Sequence, residues 1–317
     1  MTPRRISPAL IAHGGAGGRG PAAERAERRY ALLAAVRRGG ELLREGGSAL
    51  DAVQVTVVEL EDDPRFNAGT GSVLNSVGTV EMDASVMVME RGQGGEARIS
   101  AGAVAAVSRV KNPLMLARAV MEETPHVILA GSGAHRFARR AGIELCRVED
   151  LITARARERW RARQLQLRHQ ASNAAAPSTV GAVAIDSSGN IAAGTSTGGI
   201  PGKIPGRVGD SALVGAGTFV SAWGGASATG HGEAIILAGL CREAVAALAG
   251  QSPASVARQV VATLLAPTRA EGGIVIVDRK ARIGFAHNAA AMQVATFGSG
   301  ELRHCWVEPL RLAGTSS

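Results

Sequence analysis

The spacing of apolar positions divides the chain into short small-residue strands and longer amphipathic helices. ALIA (Ala9 to Ala12) predicts a short strand ending at His13 and the glycines behind it. The period then becomes helical from about Ala22 to Arg44, and a second helix, N-capped by Ser48, runs along ALDAVQVTVVELE. Thr79 to Val88 and Ala97 to Val107 alternate as hairpin partners across a Gly-rich turn. Asn112-Pro113 starts a helix to about Glu123, HVILAG reads as a strand, and a helix follows from about Ala134 to Ala141. Beyond Thr179 the pattern is strand, turn at Ser188-Gly189-Asn190, and strand IAAGTST. Strands around LVGAG and FVSAWGGASATG, a helix from His231 to about Ala249, another from Pro253 to about Leu265, and a last hairpin GGIVIVD and RIGFAHN complete the series. Strands on both sides of paired helices predict an α/β fold of two stacked sheets between helical layers, as one globular unit.

Two segments fall outside this alternation. Leu60 to Asn75 (LEDDPRFNAGTGSVLN) opens where Pro64 stops a helix, and Gly69 and Gly71 demand unusual backbone angles, so it reads as an ordered loop. Its carbonyls lack ladder partners and call for water, side chains or a hard cation. Residues 151–178 change character: Arg155, Arg157, Arg159, Arg161, Arg163 and Arg168 crowd a polar stretch that decays into QASNAAAPS, which reads as a linker carrying a frayed basic helix.

Composition narrows the function classes. Aromatics make up 3%, so the core must be built from Ala, Val, Leu and Ile. The net charge of +8 comes from arginines scattered over helical faces without the interleaved aromatics that stack bases, so no nucleic-acid partner is expected. An Arg-rich nucleic-acid-binding protein remains the alternative from another class. Cys146, Cys241 and Cys305 are far apart and odd in number, which gives no disulfide framework or zinc spacing and favours a cytoplasmic location. No run approaches the roughly 18 apolar residues of a membrane span. Residues 15–20 satisfy G-x-G-x-x-G, but helices follow where a dinucleotide fold needs a second strand with its acidic residue, so no organic cofactor is expected.

The chemistry gathers around STVGAVAID, Ser178 to Asp186. A threonine that opens a strand behind a cuttable segment can become a new N-terminus, carrying both a nucleophile and its own amine base. Three further pieces carry hydroxyls, charges and glycines: Thr195-Ser196-Thr197-Gly198-Gly199, Arg207-Val208-Gly209-Asp210 and Thr229-Gly230-His231-Gly232-Glu233. Arg207 and Asp210, three apart in a Gly-containing loop, form a charge pair, which read alone is a local surface salt bridge. His13 and His231 are weak candidates for general bases, and Cys241 reads as one position on the apolar face of a helix.

In order along the chain, HGGAG, LEDDPRFNAGTG, MDASVM, SAGAVAAVSRVKNP, TVGAVAIDSSGNIAAGTSTGG, KIPGRVGDSALVGAG and ATGHGE closely resemble the plant-type (type 2) L-asparaginases with isoaspartyl peptidase activity, members of the N-terminal nucleophile (Ntn) hydrolases. The resemblance implies a four-layer αββα sandwich with two mainly antiparallel sheets. It implies autoproteolysis between Ser178 and Thr179, dividing the chain into an α-subunit-like half (1–178) and a β-subunit-like half (179–317). Thr179 would be the nucleophile, Thr197 its hydrogen-bond partner, Thr229 and Gly230 the oxyanion hole, and Asn67 an organiser of water nearby. Arg207, Asp210 and Gly232 would bind the substrate, L-asparagine or a β-aspartyl dipeptide. The backbone oxygens of Leu60, Glu61, Asp63, Phe66, Ala68 and Thr70 would hold a structural sodium or potassium ion, and the resemblance also implies a homodimer of αβ units.

Two departures stand out. The family usually has Gly before the threonine, where a strained peptide helps the acyl shift, and this chain has Ser178. Asn288-Ala289-Ala290-Ala291-Met292 carries alanines where relatives often have polar groups, which bears on the leaving-group side of the substrate. A glycosylasparaginase-like amidase of the same fold is the nearest alternative activity.

Overall fold

A computed structural model describes residues 6–19, 21–92, 96–168, 179–306 and 310. The elements in chain order are β1 (Ala9–Gly17), α1 (Ala22–Arg44), α2 (Ala49–Asp62), β2 (Met82–Arg91), β3 (Ala97–Val107), α3 (Pro113–Glu123), β4 (Ile128–Ala130), α4 (Gly131–Arg140), α5 (Val148–Leu151) and α6 (Ala154–Arg168). After Thr179 come β5 (Val180–Ile185), β6 (Ile191–Thr197), β7 (Thr218–Ser221), β8 (Gly224–Gly230), α7 (Gly232–Ala238), α8 (Leu240–Ala247), α9 (Pro253–Val260), β9 (Gly272–Asp278), β10 (Ile283–His287), β11 (Ala291–Gly298) and β12 (Glu301–Trp306).

Eight strands form one sheet in the order β12-β11-β1-β5-β6-β2-β3-β4, and four form a second in the order β10-β9-β8-β7. Every pairing is antiparallel except β3 with β4. The period-2 rule assigns each strand residue to a layer. Leu10, Ala12, Val180, Ala182 and Ala184 face the core shared with α1, α2 and α3, whereas Ile11, Val183, Ile185 and Ile191 face the other sheet and meet Val275 and Val277. On the second sheet Ile274 and Ile276 turn outward onto Leu240, Val245 and Val256 of α8 and α9. The result is the αββα sandwich expected from the sequence.

With few aromatics, the layers close on small residues. Gly194 of β6 leaves room for Val53 and Leu114, whose methyls would lie 2.9 and 3.1 Å from a Cβ there. Polar residues also cross between the sheets: Ser85 Oγ donates to Thr218 Oγ1 (2.9 Å), Thr218 Oγ1 to Thr195 Oγ1 (2.6 Å), and the Thr195 and Ser227 hydroxyls share a bond of 2.7 Å. All four are buried, and mutual bonding removes most of the cost of placing hydroxyls there.

The structure differs from the sequence expectation at five places. β1 runs on to Gly17 past a bulge between His13 and Ala16, because Ala16 and Gly17 find partners in Met292 and Ala291 of β11, a strand not expected from the sequence. LVGAG is no strand: only Val214 makes an isolated bridge, to Thr218. The helix expected from His231 to Ala249 breaks into α7 and α8 at Gly239, which is left-handed at φ 54. The sequence also gave no expectation of β12, which pairs with β11 at the sheet edge. Finally, the first part of the expected linker is α6, docked by Trp160 Nε1 donating to the Asn75 carbonyl (2.8 Å) and Gln164 Nε2 to the Ser76 carbonyl (3.2 Å). The rest of that linker, residues 169–178 with Ser178, lies outside the described residues.

Helix α1 carries Gly39-Gly40 in its buried face, where α2 and β11 approach. A Cβ on Gly39 would run into the Thr56 hydroxyl and lie 2.8 Å from Leu10 Cδ2 and 2.9 Å from the Ala52 carbonyl. Gly39→Ala would add about 1 kcal/mol of helix propensity, but overpacking of a tight contact costs roughly 1–3 kcal/mol. The expected outcome is a net loss, read as a lower urea midpoint with unchanged slope; a higher midpoint would show that the helices separate at little cost.

Candidate active site

Thr179 immediately precedes β5, and its buried side chain belongs to the face that looks between the sheets, in parity with Gly181, Val183 and Ile185. The β5–β6 register pairs Val180 with Ser196, which sets Thr179 opposite Thr197. Thr179 Oγ1 donates to Thr197 Oγ1 at 3.1 Å, and Thr197 Oγ1 also accepts the Gly199 amide at 3.0 Å. The hydroxyl expected to react is therefore held by a hydroxyl that is itself fixed by the backbone.

Beside this pair, Thr179, Thr197, Gly199, Ile200, Arg207, Asp210, Gly230 and Gly232 line a narrow cavity. Arg207 points its Nε and Nη2 at the two carboxylate oxygens of Glu233, both at 2.9 Å, a bidentate pair. The sequence did not single out Glu233, although it stands in the ATGHGE motif. Arg207 and Asp210 are thus not simply a pair of their own. Asp210 is buried, and its Oδ2 has no hydrogen-bond partner among the described residues. Burial pushes its carboxyl up to about 7, against the opposing pull of Arg207. Gly232 lies where the two charged ends converge: a Cβ there would be 2.7 Å from Arg207 Nη2 and 2.8 Å from Asp210 Oδ1.

The remaining expected residues stand in different relations to this cavity. Gly230 lines it, in a backbone conformation (φ 142) that suits only glycine. Thr229 Oγ1 accepts the Ala16 amide at 3.2 Å, tying β8 to the end of β1. Asn67 is committed to protein partners: Nδ2 donates to the Gly199 carbonyl (2.8 Å), Oδ1 accepts the Val73 amide (2.9 Å), and its own carbonyl accepts the Gly198 amide (2.9 Å). It braces the Gly198-Gly199 turn beside Thr197, where the sequence suggested a role in ordering water.

His13 is fully buried with Nε2 2.9 Å from the Ser227 hydroxyl, and burial pulls it down to about 3, so its ring is neutral. Cys241 is buried in α8 and burial raises its thiol well above the ordinary range, which makes it inert. His231 is half-exposed beside Glu233, at 3.6 Å.

Asn67 belongs to the Leu60–Thr70 segment. Leu60 and Glu61 close α2, and because Pro64 has no N–H, the Leu60 carbonyl receives no helical donor from four residues on. The Thr70 amide bonds the Glu61 carbonyl (2.7 Å) and the Phe66 amide the Asp63 carbonyl (3.1 Å). At Gly71 (φ 96) a Cβ would lie 2.6 Å from the Pro64 carbonyl and 2.9 Å from that of Phe66, so oxygens converge there. Arg155 of α6 answers part of this density by donating Nη2 to the Arg65 carbonyl at 2.6 Å. Among the described residues no group of three or more His, Cys, Asp or Glu side chains is placed to hold a metal, so any ion here would be held by backbone oxygens.

Known proteins place this arrangement. The sequence profile of the family described as Asparaginase matches residues 6–307. The chain is 41% identical to a Bos taurus protein named isoaspartyl peptidase/L-asparaginase, over 94% of this chain and 95% of the relative. It is 40% identical to the Homo sapiens protein of that name, over 96% and 97%. A probable isoaspartyl peptidase/L-asparaginase 2 of Arabidopsis thaliana is 40% identical over 76% and 80%. With a match across nearly the whole chain and the layered fold around Thr179, the chain belongs to the asparaginase family of the Ntn-hydrolase superfamily and is a hydrolase.

Proposed function

We propose that this protein is a threonine amidohydrolase that matures by cutting itself between Ser178 and Thr179 and then hydrolyses L-asparagine and β-aspartyl dipeptides. The observation that carries the reading is the Thr179 hydroxyl, buried at the head of β5, bonded to Thr197 and facing a cavity that also holds Arg207 and Asp210. The names of the relatives, isoaspartyl peptidase/L-asparaginase, support the substrate class.

In maturation, Thr179 Oγ attacks the Ser178 carbonyl carbon, the C–N bond breaks as nitrogen takes the proton, and the acyl group shifts to oxygen as an ester. Water cleaves that ester and leaves Thr179 with a free amine. This amine, whose ordinary pKa is about 7.7–8.0, then accepts the hydroxyl proton of its own residue. The neutral His13 ring has no part as a base in this scheme. Thr179 Oγ attacks the side-chain carbonyl of the substrate, Thr229 and Gly230 stabilise the oxyanion, ammonia or an amino acid leaves, and water hydrolyses the acyl-threonine. The substrate carboxylate goes to Arg207 and its ammonium to Asp210, with Gly232 leaving space between them.

A monovalent cation, sodium or potassium, fits the Leu60–Thr70 loop. The Leu60 carbonyl, which loses its helical donor at Pro64, and the oxygens around Gly71 are the features that support it, and the backbone oxygens of Leu60, Glu61, Asp63, Phe66, Ala68 and Thr70 would hold it. Bound there, it would supply positive charge that keeps the loop rigid and Asn67 in place against Gly198 and Gly199. The proposal is completed by a homodimer of αβ units acting in the cytoplasm, without nucleic acid or membrane partners. Arg155 of the basic helix directs its guanidinium to the Arg65 carbonyl, and no helix among the described residues is long and apolar enough to cross a membrane.

Three outcomes are expected. Thr179→Ala leaves a single uncut chain with activity down roughly 10³-fold or more, whereas the native protein gives two bands and a second N-terminus reading Thr-Val-Gly-Ala; full activity in an uncut chain would sink the mechanism. For the substrate clamp, folding raises the Asp210 carboxyl to about 7, so it is neutral below that pH and charged above it. Substrate ammonium needs the charged form, so KM is expected to rise as pH falls through 7, and Asp210→Asn removes that dependence while raising KM at all pH values. Third, the melting temperature is expected to climb with sodium or potassium chloride relative to tetramethylammonium chloride at equal ionic strength, since an ion bound only to the folded state stabilises it by mass action; identical melting curves would remove the ion from the scheme.

A further inference from the structure

Asp83, the second residue of β2, is fully buried in the part of the strand, Met82 to Met89, that is otherwise apolar or small. A carboxylate in such a place costs several kcal/mol unless charge and hydrogen bonds answer it. Here both oxygens are spent on backbone amides. Oδ1 accepts the Ala106 amide at 2.9 Å, and Oδ2 accepts the Gly209 amide at 2.9 Å. Ala106 is left-handed (φ 51), at the place where the β2–β3 register shifts. Gly209 stands between Arg207 and Asp210, the two ends of the substrate clamp.

The surroundings fit the same purpose. A Cβ on Gly209 would lie 2.7 Å from Arg207 Nη1 and 3.6 Å from Asp83 Oδ2, so carboxylate, amide and guanidinium meet at one point. Two residues earlier, Glu81 Oε2 accepts the Gly206 amide at 3.0 Å, on the other side of Arg207. Lys203, buried beneath the loop, donates Nζ to the Glu81 carbonyl at 2.7 Å and supplies positive charge toward Asp83. The Asp83 backbone is in register with Thr197, the hydroxyl that holds Thr179. One strand end therefore grips the Arg207 loop at both flanks and is paired to the nucleophile's partner.

We propose that Asp83 is the positioning residue of the substrate clamp: by holding the Gly209 amide it sets the separation of Arg207 and Asp210 and ties both to the Thr179–Thr197 pair. The inference rests on the reading of Arg207 and Asp210 as the clamp. A purely structural Asp83 would affect stability alone, whereas a positioning Asp83 acts on substrate affinity and on the charge of its neighbour.

The experiment measures kcat and KM for L-asparagine against pH, with melting temperature, in Asp83→Asn. The amide keeps the shape but can accept only through one oxygen, so one of the two backbone bonds is lost along with the charge. The expected result is KM up by about 10-fold or more with kcat within about threefold, since small misplacements of binding groups carry losses of this order. The groups facing Asp210 are Arg207, Asp83 and Glu233, with the Cys241 thiol behind it. Loss of the Asp83 charge removes one of the two anions that favour the protonated form, so the acid limb of the KM profile shifts to lower pH. KM within twofold of the native value, or a fall in kcat alone, overturns the proposal. Should Asp83→Asn fail to fold, Glu81→Ala, at a half-buried position, is read instead: a smaller rise in KM is expected, and an unchanged KM overturns the inference. Arg207→Ala separates the two levels. If it leaves KM unchanged, the clamp itself is misassigned and the inference falls with it; if it raises KM while Asp83→Asn does not, only the role of Asp83 falls.

Discussion

The register of β5 against β6 is the constraint on which the site depends. Strand side chains alternate with period two, so a slip of one residue would turn Thr179 from the space between the sheets to the helical layer and separate it from Thr197. That register is secured on both flanks. β1 pairs β5 from Ala9 opposite Ile185 to His13 opposite Gly181, and β2 pairs β6 from Asp83 opposite Thr197 to Met89 opposite Ile191. The apolar residues of the strands enforce the same choice, since Val183 and Ile185 must meet Val275 and Val277 while Ala182 and Ala184 must meet the helices. The hydroxyl row from Ser85 through Thr218 and Thr195 to Ser227 adds a requirement that apolar packing lacks, because a displaced hydroxyl would be buried without a partner.

Around that fixed point the site holds more charge than its burial would ordinarily tolerate. Asp210 is pushed upward by desolvation, Asp83 likewise, and Lys203 downward, while Arg207 forms a bidentate pair with Glu233. Each group offsets part of its neighbour's cost, and removing one partner costs more than the pair contributes. A binding site for a small zwitterion has this character by necessity, since it must present one cation and one anion at a fixed separation with little water between them.

The sequence made much of this legible, and the misses have physical causes. Helices α1, α2 and α3 could be placed closely because period, cap and proline agreed, as with Ser48 before α2 and Pro113 at the start of α3. The residues that gather at the cavity were visible as hydroxyl-rich strand ends and a loop with Arg and Asp three apart. What failed was tertiary. β11 reads AMQVATFG, too small and mixed to stand out, yet it lies beside β1 and carries that strand on through the glycines. Gly239 sits in an apolar run that looks continuous, and only its left-handed angle divides α7 from α8. The partners of the site residues were hidden for a similar reason: Glu233 acts on Arg207 from 26 positions away and Asp83 on Gly209 from 126. The visible signal for Asp83 was an acidic residue inside an apolar strand, and for Lys203 a lysine in a chain whose basic residues are almost all arginine.

The order of strands bears on what a cut before Thr179 would do. Residues before it supply β1, β2, β3 and β4, and those after it supply β5, β6, β11 and β12, and in the large sheet these alternate: β1 lies between β11 and β5, while β2 lies against β6. Separating the two pieces would break the β1–β11, β1–β5 and β2–β6 ladders and expose the apolar core on both faces of the sheet. One peptide bond contributes little against that. The described chain before the cut ends in α6, which Trp160 and Gln164 hold to the turn at Asn75 and Ser76. A new N-terminus can therefore appear at Thr179 while the sheet that aims it stays whole, which is what a nucleophile that must also serve as its own base requires.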